Sequence, residues 1–266
     1  MRGILIIAKQ RSGTNFLRSL LSSAGPVANW GEVFQPVNLS EGSRYDSWST
    51  RNRVAAPVTY KDAVRHSEEF LSFFEGRERA PCIDVKYNSL LCTVGTWYSA
   101  YDPPPILVAA LNKRFLIIHL ERANRLEYAI STLVARNSGQ YVAKLGDHVD
   151  DRRIAVSPEA VSNIAKQYDY EVELVEHWLG RAVRSRPGAC VVRLTYEDLS
   201  KAAPDELERQ IGGILTTCGI PRVGTISADT KKIIRDWRQI VLNPEPVERE
   251  FTNYAKLRAG RSTRSG

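Results

Sequence analysis

The opening of the chain constrains its fold most: Gly3–Ala8 (GILIIA) is a continuous apolar run that enters a polar, small-residue turn, Lys9–Gly13. A short apolar run without alternation is what a strand buried on both faces of a parallel sheet presents. From Thr14 to Ser23 the spacing becomes helical, with Phe16, Leu17, Leu20 and Leu21 on one face. A strand that enters a helix through such a turn gathers backbone N–H groups and the positive end of the helix dipole at one point. That point attracts an anion, and Arg11 adds a guanidinium to it. An ordinary βα turn with a capped helix fits the same residues.

The rest of the chain repeats the alternation. Val27–Trp30, Cys82–Lys86, Arg114–Leu120 (RFLIIHL) and Ala189–Leu194 read as strands. Helices are predicted over 59–75, after the triple proline Pro103–Pro105, over Asn124–Arg136, from Ser157-Pro158 to near Pro187-Gly188, and over Glu206–Cys218, closed by Gly219. Residues 31–58 show no period and read as an irregular loop. Strands alternating with helices predict an α/β fold with a P-loop-like central parallel sheet flanked by helices. One domain is expected over 1–257, with a flexible basic tail over 258–266.

Composition narrows the classes. The 266 residues are 43% hydrophobic and 25% charged, as in ordinary globular proteins, and carry a net charge of +7. That balance favours an anionic ligand, yet the positive charge is scattered rather than gathered in a nucleic-acid-binding run. Cys82, Cys92, Cys190 and Cys218 form no CxxC pair and have no histidine at ligand spacing, so no metal site is expected. No stretch approaches the roughly 20 apolar residues of a membrane span. The segment MRGILIIAKQ meets charge too early for a signal peptide, and the expected location is the cytoplasm.

The turn Lys9-Gln10-Arg11-Ser12-Gly13-Thr14 departs from the Walker A loop, GxxxxGK[ST], by lacking its first glycine and its Gly-Lys pair. A site for β- and γ-phosphates with Mg²⁺ is therefore poorly supported. A second feature lies at Leu120–Ser131 (LERANRLEYAIS), where Arg122 ends a strand and Ser131 stands on the following helix. Open α/β sheets bind ligands at such carboxyl ends.

Together these two motifs resemble the PAPS-dependent sulfotransferases, which move a sulfuryl group from 3′-phosphoadenosine 5′-phosphosulfate (PAPS) to a hydroxyl and release the 3′,5′-bisphosphate (PAP). Arg-Ser-Gly-Thr at 11–14 is similar to that family's 5′-phosphosulfate loop, and Arg122 with Ser131 to its 3′-phosphate motif. Gly31-Glu32-Val33-Phe34 resembles a GE-x-F motif of bacterial carbohydrate sulfotransferases acting on trehalose, nodulation factors and lipopolysaccharide. Asp84–Tyr87, Ser131–Tyr141 and the segment Leu194–Leu199 (LTYEDL) also resemble that branch. The departures are Gln10 where the branch often has Pro, Asn124 where it often has Asp, and Arg11 where the aryl and steroid branch has Lys.

The resemblance implies roles. Lys9, Arg11, Ser12, Gly13, Thr14 and Asn15 would hold the donor, Arg122 and Ser131 its 3′-phosphate, and Tyr196 would belong to the cofactor site. Glu32 would be the base, with Arg11 and Lys86 as the cations near the transferred group and no metal; His66 or His148 would be the base if Glu32 is not. His119, inside an apolar strand, reads as a hydrogen-bonded core histidine, and Arg235 or Arg238 as a late phosphate contact. Acceptor recognition would fall to 35–58 and 139–157, with Tyr45, Trp48, Tyr141, Asp147 and Asp150, and a homodimer stays open as a partner. Two rivals remain: a P-loop kinase, with Asp84 as its magnesium carboxylate, and a non-catalytic nucleic-acid-binding protein.

Overall fold

The computed structural model describes residues 2–35, 43–52, 55–76, 78–93, 102–138, 153–226 and 237–262. In chain order the elements are β1 (Ile4–Ala8), α1 (Thr14–Ala24), β2 (Val27–Glu32), α2 (Arg44–Arg51), α3 (Tyr60–Ser72), β3 (Ala80–Lys86), a 3₁₀ turn at Tyr87–Ser89 and α4 (Pro105–Asn112). There follow β4 (Leu116–Glu121), α5 (Arg125–Ser138), α6 (Pro158–Arg184), β5 (Val191–Thr195), α7 (Tyr196–Lys201), α8 (Pro204–Thr217), α9 (Trp237–Ile240) and α10 (Pro244–Ser262). They divide into two compact units, Met1–Glu121 with Val172–Lys232, and Arg122–Glu171 with Ile233–Gly266.

The first unit holds a five-stranded sheet in the order β2-β3-β1-β4-β5, parallel throughout. Every residue of β1 and β3 is buried; β1 is accordingly apolar throughout, while β3 carries Asp84 and Lys86 toward its carboxyl end. Ile4, Ile6 and Ala8 face Leu17, Leu20 and Leu21 of α1 and Ile211 and Leu215 of α8 in one apolar cluster. Each such Leu or Ile contributes about 1.5–3 kcal/mol by burial. α3 packs against α4. The chain leaves β1 toward β2 and leaves β4 toward β5, so the carboxyl ends of β1 and β4 flank a topological switch point.

Sequence and structure differ at two places in this unit. β2 runs past Trp30 to Glu32, and the span read as irregular contains α2. The helix start is a capping box: Ser43 Oγ accepts from the Asp46 N–H, and the Asp46 carboxylate accepts from the Ser43 N–H. Apolar periodicity missed it because only Trp48 of α2 is buried.

The second unit is built on α5, the first half of α6, α9 and α10. Its core gathers Ala129, Ile130, Val161, Trp237, Val241 and Val247. The helix α10 continues through residues 258–262 of the expected tail, and Arg258 lies 3.1 Å from Asp169. Among the described residues no helix is long and apolar enough to cross a membrane.

Candidate functional site

The turn after β1 is tight and strained. Arg11 and Gly13 both take left-handed backbone angles, with φ of 70° and 86°. A Cβ on Gly13 would stand 2.3 Å from Cδ2 of Tyr196, so only glycine fits both the angle and the space. Tyr196 is buried at the start of α7 and meets Phe16 edge-on at 6.4 Å. Ser12 is buried and its N–H donates to the Lys9 carbonyl at 3.3 Å, while Gln10 donates to Asn88 at 3.1 Å. The helix α1 begins with no side-chain cap and no acid in its first turn. Its N–H groups therefore end in a loop shaped by backbone rather than by a carboxylate.

The end of β3 delivers Lys86 to this point. Register pairs Ala8 with Lys86, and the ammonium donates to Thr14 Oγ1 at 2.7 Å and to Asp84 Oδ2 at 2.8 Å. Glu32 Oε1 lies 3.3 Å from the same nitrogen. Lys86 is 2% exposed and Asp84 1%. Arg18 of α1 approaches Asp84 Oδ2 at 3.8 Å and donates to Asn15. Two cations and two carboxylates thus form a balanced quartet at the carboxyl edge of the sheet, which keeps buried charge compensated.

Gly31 explains how Glu32 reaches that quartet. The register of β2 shifts between Asn29 and Gly31, leaving Trp30 as a bulge residue, and Gly31 has φ of 69°. Bulges re-aim the side chain that follows. A Cβ at Gly31 would lie 2.9 Å from the Arg18 guanidinium, a side-chain tip that can move aside, so the backbone angle is the main reason for glycine here. Sequence reasoning named Lys86, Glu32 and Thr14 separately; register brings them to one ammonium.

Arg122 and Ser131 belong to the second unit. The Arg122 N–H donates to Tyr168 Oη at 2.8 Å, its carbonyl accepts from Arg125, and its guanidinium meets Glu127 at 3.0 Å. Arg125 is held in turn by Asp169 at 2.7 Å and lies 4.7 Å over the Tyr168 ring. Tyr254 of α10 donates to the same Asp169, and burial with this contact pushes the Tyr254 hydroxyl pKa up. The sequence places Tyr168 on the apolar stripe of α6, but nothing in it singles out Asp169 or Tyr254. Ser131 is half-buried on α5.

His119 is buried and doubly bonded, as expected of a core histidine. Its Nε2 meets Tyr87 Oη at 2.6 Å and its Nδ1 meets Glu176 at 2.5 Å. The His119 hydrogen bond, followed by Arg193, holds the Glu176 carboxyl down at about 2 despite partial burial. Ligand atoms of His119, Glu121 and Glu176 lie within 4.8 Å of one another, a cluster the sequence reading did not foresee. Both Glu176 oxygens already accept from Arg193, so the cluster is an occupied ion network rather than an open donor set.

Other expected residues fall elsewhere. Trp48 is 7% exposed and packs on His66 and Phe70, so it closes an aromatic core and offers no face to a sugar. His66 is buried against Tyr45 Oη at 2.6 Å; burial lowers its pKa and raises that of Tyr45 to about 12. Arg238 is paired with Glu248 at 2.7 Å and stacked over Trp237. Gly139, Gln140, Tyr141, Asp147, His148, Asp150 and Arg235 lie outside the described residues.

Comparison with known proteins adds little. No protein-family model and no curated protein matches the chain. Among solved structures, the chain is similar to mouse sulfotransferase SULT7A1 complexed with PAP. The two share 11% identity over 95% of this chain and 82% of that one, with a TM-score of 0.43.

Proposed function

We propose that the chain is a PAPS-dependent sulfotransferase that moves the sulfuryl group to a hydroxyl of a carbohydrate or glycolipid acceptor. The observation that carries this reading is the Lys86 ammonium, within reach of both the loop hydroxyl of Thr14 and the Glu32 carboxylate. A phosphate loop, a cation and a base gathered at the carboxyl edge of one sheet are the parts that an in-line transfer to a hydroxyl needs.

In this reading Lys9, Arg11, Ser12, Gly13, Thr14 and Asn15 receive the donor's 5′-phosphosulfate. The uncapped start of α1 fits that group, since its N–H donors meet no competing acid in the first turn. Arg11 and Lys86 offset charge developing on the leaving phosphate, and their fixed positions make that stabilisation large. Glu32 takes the acceptor hydroxyl's proton, after which Lys86 remains beside its carboxyl group. Arg122 and Ser131 bind the 3′-phosphate, and Tyr196, whose ring packs against Gly13, completes the cofactor site beside the loop.

The kinase reading needs Asp84 for magnesium, but Asp84 is buried with two cations, Lys86 and Arg18, already beside its Oδ2, which disfavours a third. The test is transfer of labelled sulfuryl from PAPS to a panel of carbohydrate acceptors in excess chelator. Labelled product that vanishes in Arg11→Ala supports the reading. Transfer of phosphate from ATP with an absolute Mg²⁺ requirement, and none from PAPS, refutes it.

A further inference from the structure

A second concentration of positive charge lies at the opposite edge of the sheet. The amino ends of β1, β3 and β4, with the end of α8, surround a cavity of about 750 Å³. That volume is in the range of small-molecule sites. Arg2, Arg79, Lys113 and Arg114 line it, and the one acid among the lining residues is Glu75, which pairs with Lys113 at 2.7 Å. Among the described residues no carboxylate lies within 4.0 Å of the guanidinium groups of Arg2, Arg79 or Arg114. Arg2, Arg79 and Arg114 are exposed, so water screens their mutual repulsion, and an anion in the hollow would gain attraction from each of them.

The backbone supplies an independent observation. Two helices end at this cavity with the same hydrogen-bond pattern. At the end of α8, Gly219 N–H donates to Thr216 and Ile220 N–H to Leu215; at the end of α4, Arg114 N–H donates to Leu111 and Phe115 N–H to Ala110. In this motif the residue after the cap takes a left-handed angle and is usually glycine. Gly219 follows the rule with φ of 65°, but Arg114 adopts φ of 59° with a full side chain. Among the described residues the non-glycine positions with positive φ are Arg11, in the candidate donor loop, and Arg114, in this cavity. At the end of α4 the left-handed angle sets Arg114 at the rim of the cavity.

We infer that this cavity is a second anion site, which takes a small soluble ligand carrying at least two phosphate or sulfate groups. The arginine forks offer paired N–H donors to such oxyanions, and three of them favour a ligand with more than one charged group. The site is separate from the donor loop, because the strands run parallel and the loop leaves their carboxyl ends while the cavity opens at their amino ends.

The experiment is calorimetric titration of inorganic pyrophosphate at low salt into four proteins: wild type, Arg11→Ala, Arg79→Gln and Arg114→Asn. Asparagine tolerates the left-handed angle, so Arg114→Asn removes the charge while the helix end stays formed. Unchanged thermal midpoints confirm that each variant is folded. The expected result is a binding event that survives Arg11→Ala and weakens at least tenfold in both Arg79→Gln and Arg114→Asn. Binding that is lost only in Arg11→Ala, binding equal in all four proteins, or no binding to wild type would each overturn the inference.

Discussion

The Lys86 ammonium donates to the Thr14 hydroxyl at 2.7 Å, tying the end of β3 to the first residue of the helix that follows the loop. The same nitrogen meets Asp84 and Glu32, so one buried cation bridges both carboxylates, and Arg18 beside Asp84 completes the charge balance. Removing it leaves charge buried without a partner. Lys86→Met should therefore lower unfolding free energy by about 3–5 kcal/mol, read from urea denaturation. Adding Asp84→Asn to Lys86→Met should recover part of that loss. A single variant as stable as wild type would mean the quartet does not form.

Gly13 lies under the Tyr196 ring with φ of 86°. Gly13→Ala meets both a steric clash and an unfavourable angle, which together cost about 1–3 kcal/mol. Combining it with Tyr196→Ala should restore the space but not the angle, so the thermal midpoint stays below that of Tyr196→Ala alone. Equal midpoints for those two proteins would remove the backbone half of the argument.

The Glu176 network gives a pH signature. Its carboxyl is held at about 2, below the ordinary 4.5, by His119 first and Arg193 second. A depressed carboxyl adds stability that is present above the unfolded value and is lost as pH falls through the folded one. Wild type should thus lose this contribution between about pH 4.5 and pH 2, and Glu176→Gln should not. Urea unfolding of both proteins at steps from pH 6 to pH 2.5 checks it. The gap between them should narrow on acidification; a constant gap would contradict the assignment.

Glu32 separates proton removal from nucleotide binding. Glu32→Gln keeps the shape beside Lys86 but takes no proton at neutral pH. Turnover should fall by roughly 10²–10⁴-fold, while affinity for adenosine 3′,5′-bisphosphate stays near wild type. A variant within a few-fold of wild type in turnover would return the role of base to another group.

Much of the fold was legible in local patterns, because β1 and most of β4 are apolar runs and α1, α3, α6 and α8 carry clear apolar faces. α2 escaped because a capping box, not periodicity, defines it, and α10 because its polar sequence shows little amphipathic contrast. The site was legible residue by residue but not as an arrangement. That Lys86 meets Thr14 follows from the pairing of β1 with β3, and that Glu32 joins them follows from a bulge at Trp30. Register and bulges arise from long-range pairing, which spacing along one chain does not encode. Tyr168 and Asp169 looked like ordinary helix positions until Arg122 and Arg125 were seen to hang on them.

The donor is the centre of the account, and comparative calorimetry addresses it most directly. Adenosine 3′,5′-bisphosphate, adenosine 5′-phosphate and ATP with Mg²⁺ are titrated into wild type and Arg122→Ala. The bisphosphate should bind wild type far better than either other nucleotide. Arg122→Ala should weaken it at least tenfold, as expected from losing charge-assisted bonds of about 1.5–3 kcal/mol, and leave the 5′-phosphate almost unchanged. Equal binding of bisphosphate and 5′-phosphate to wild type, or a preference for ATP with Mg²⁺, would contradict the proposed function.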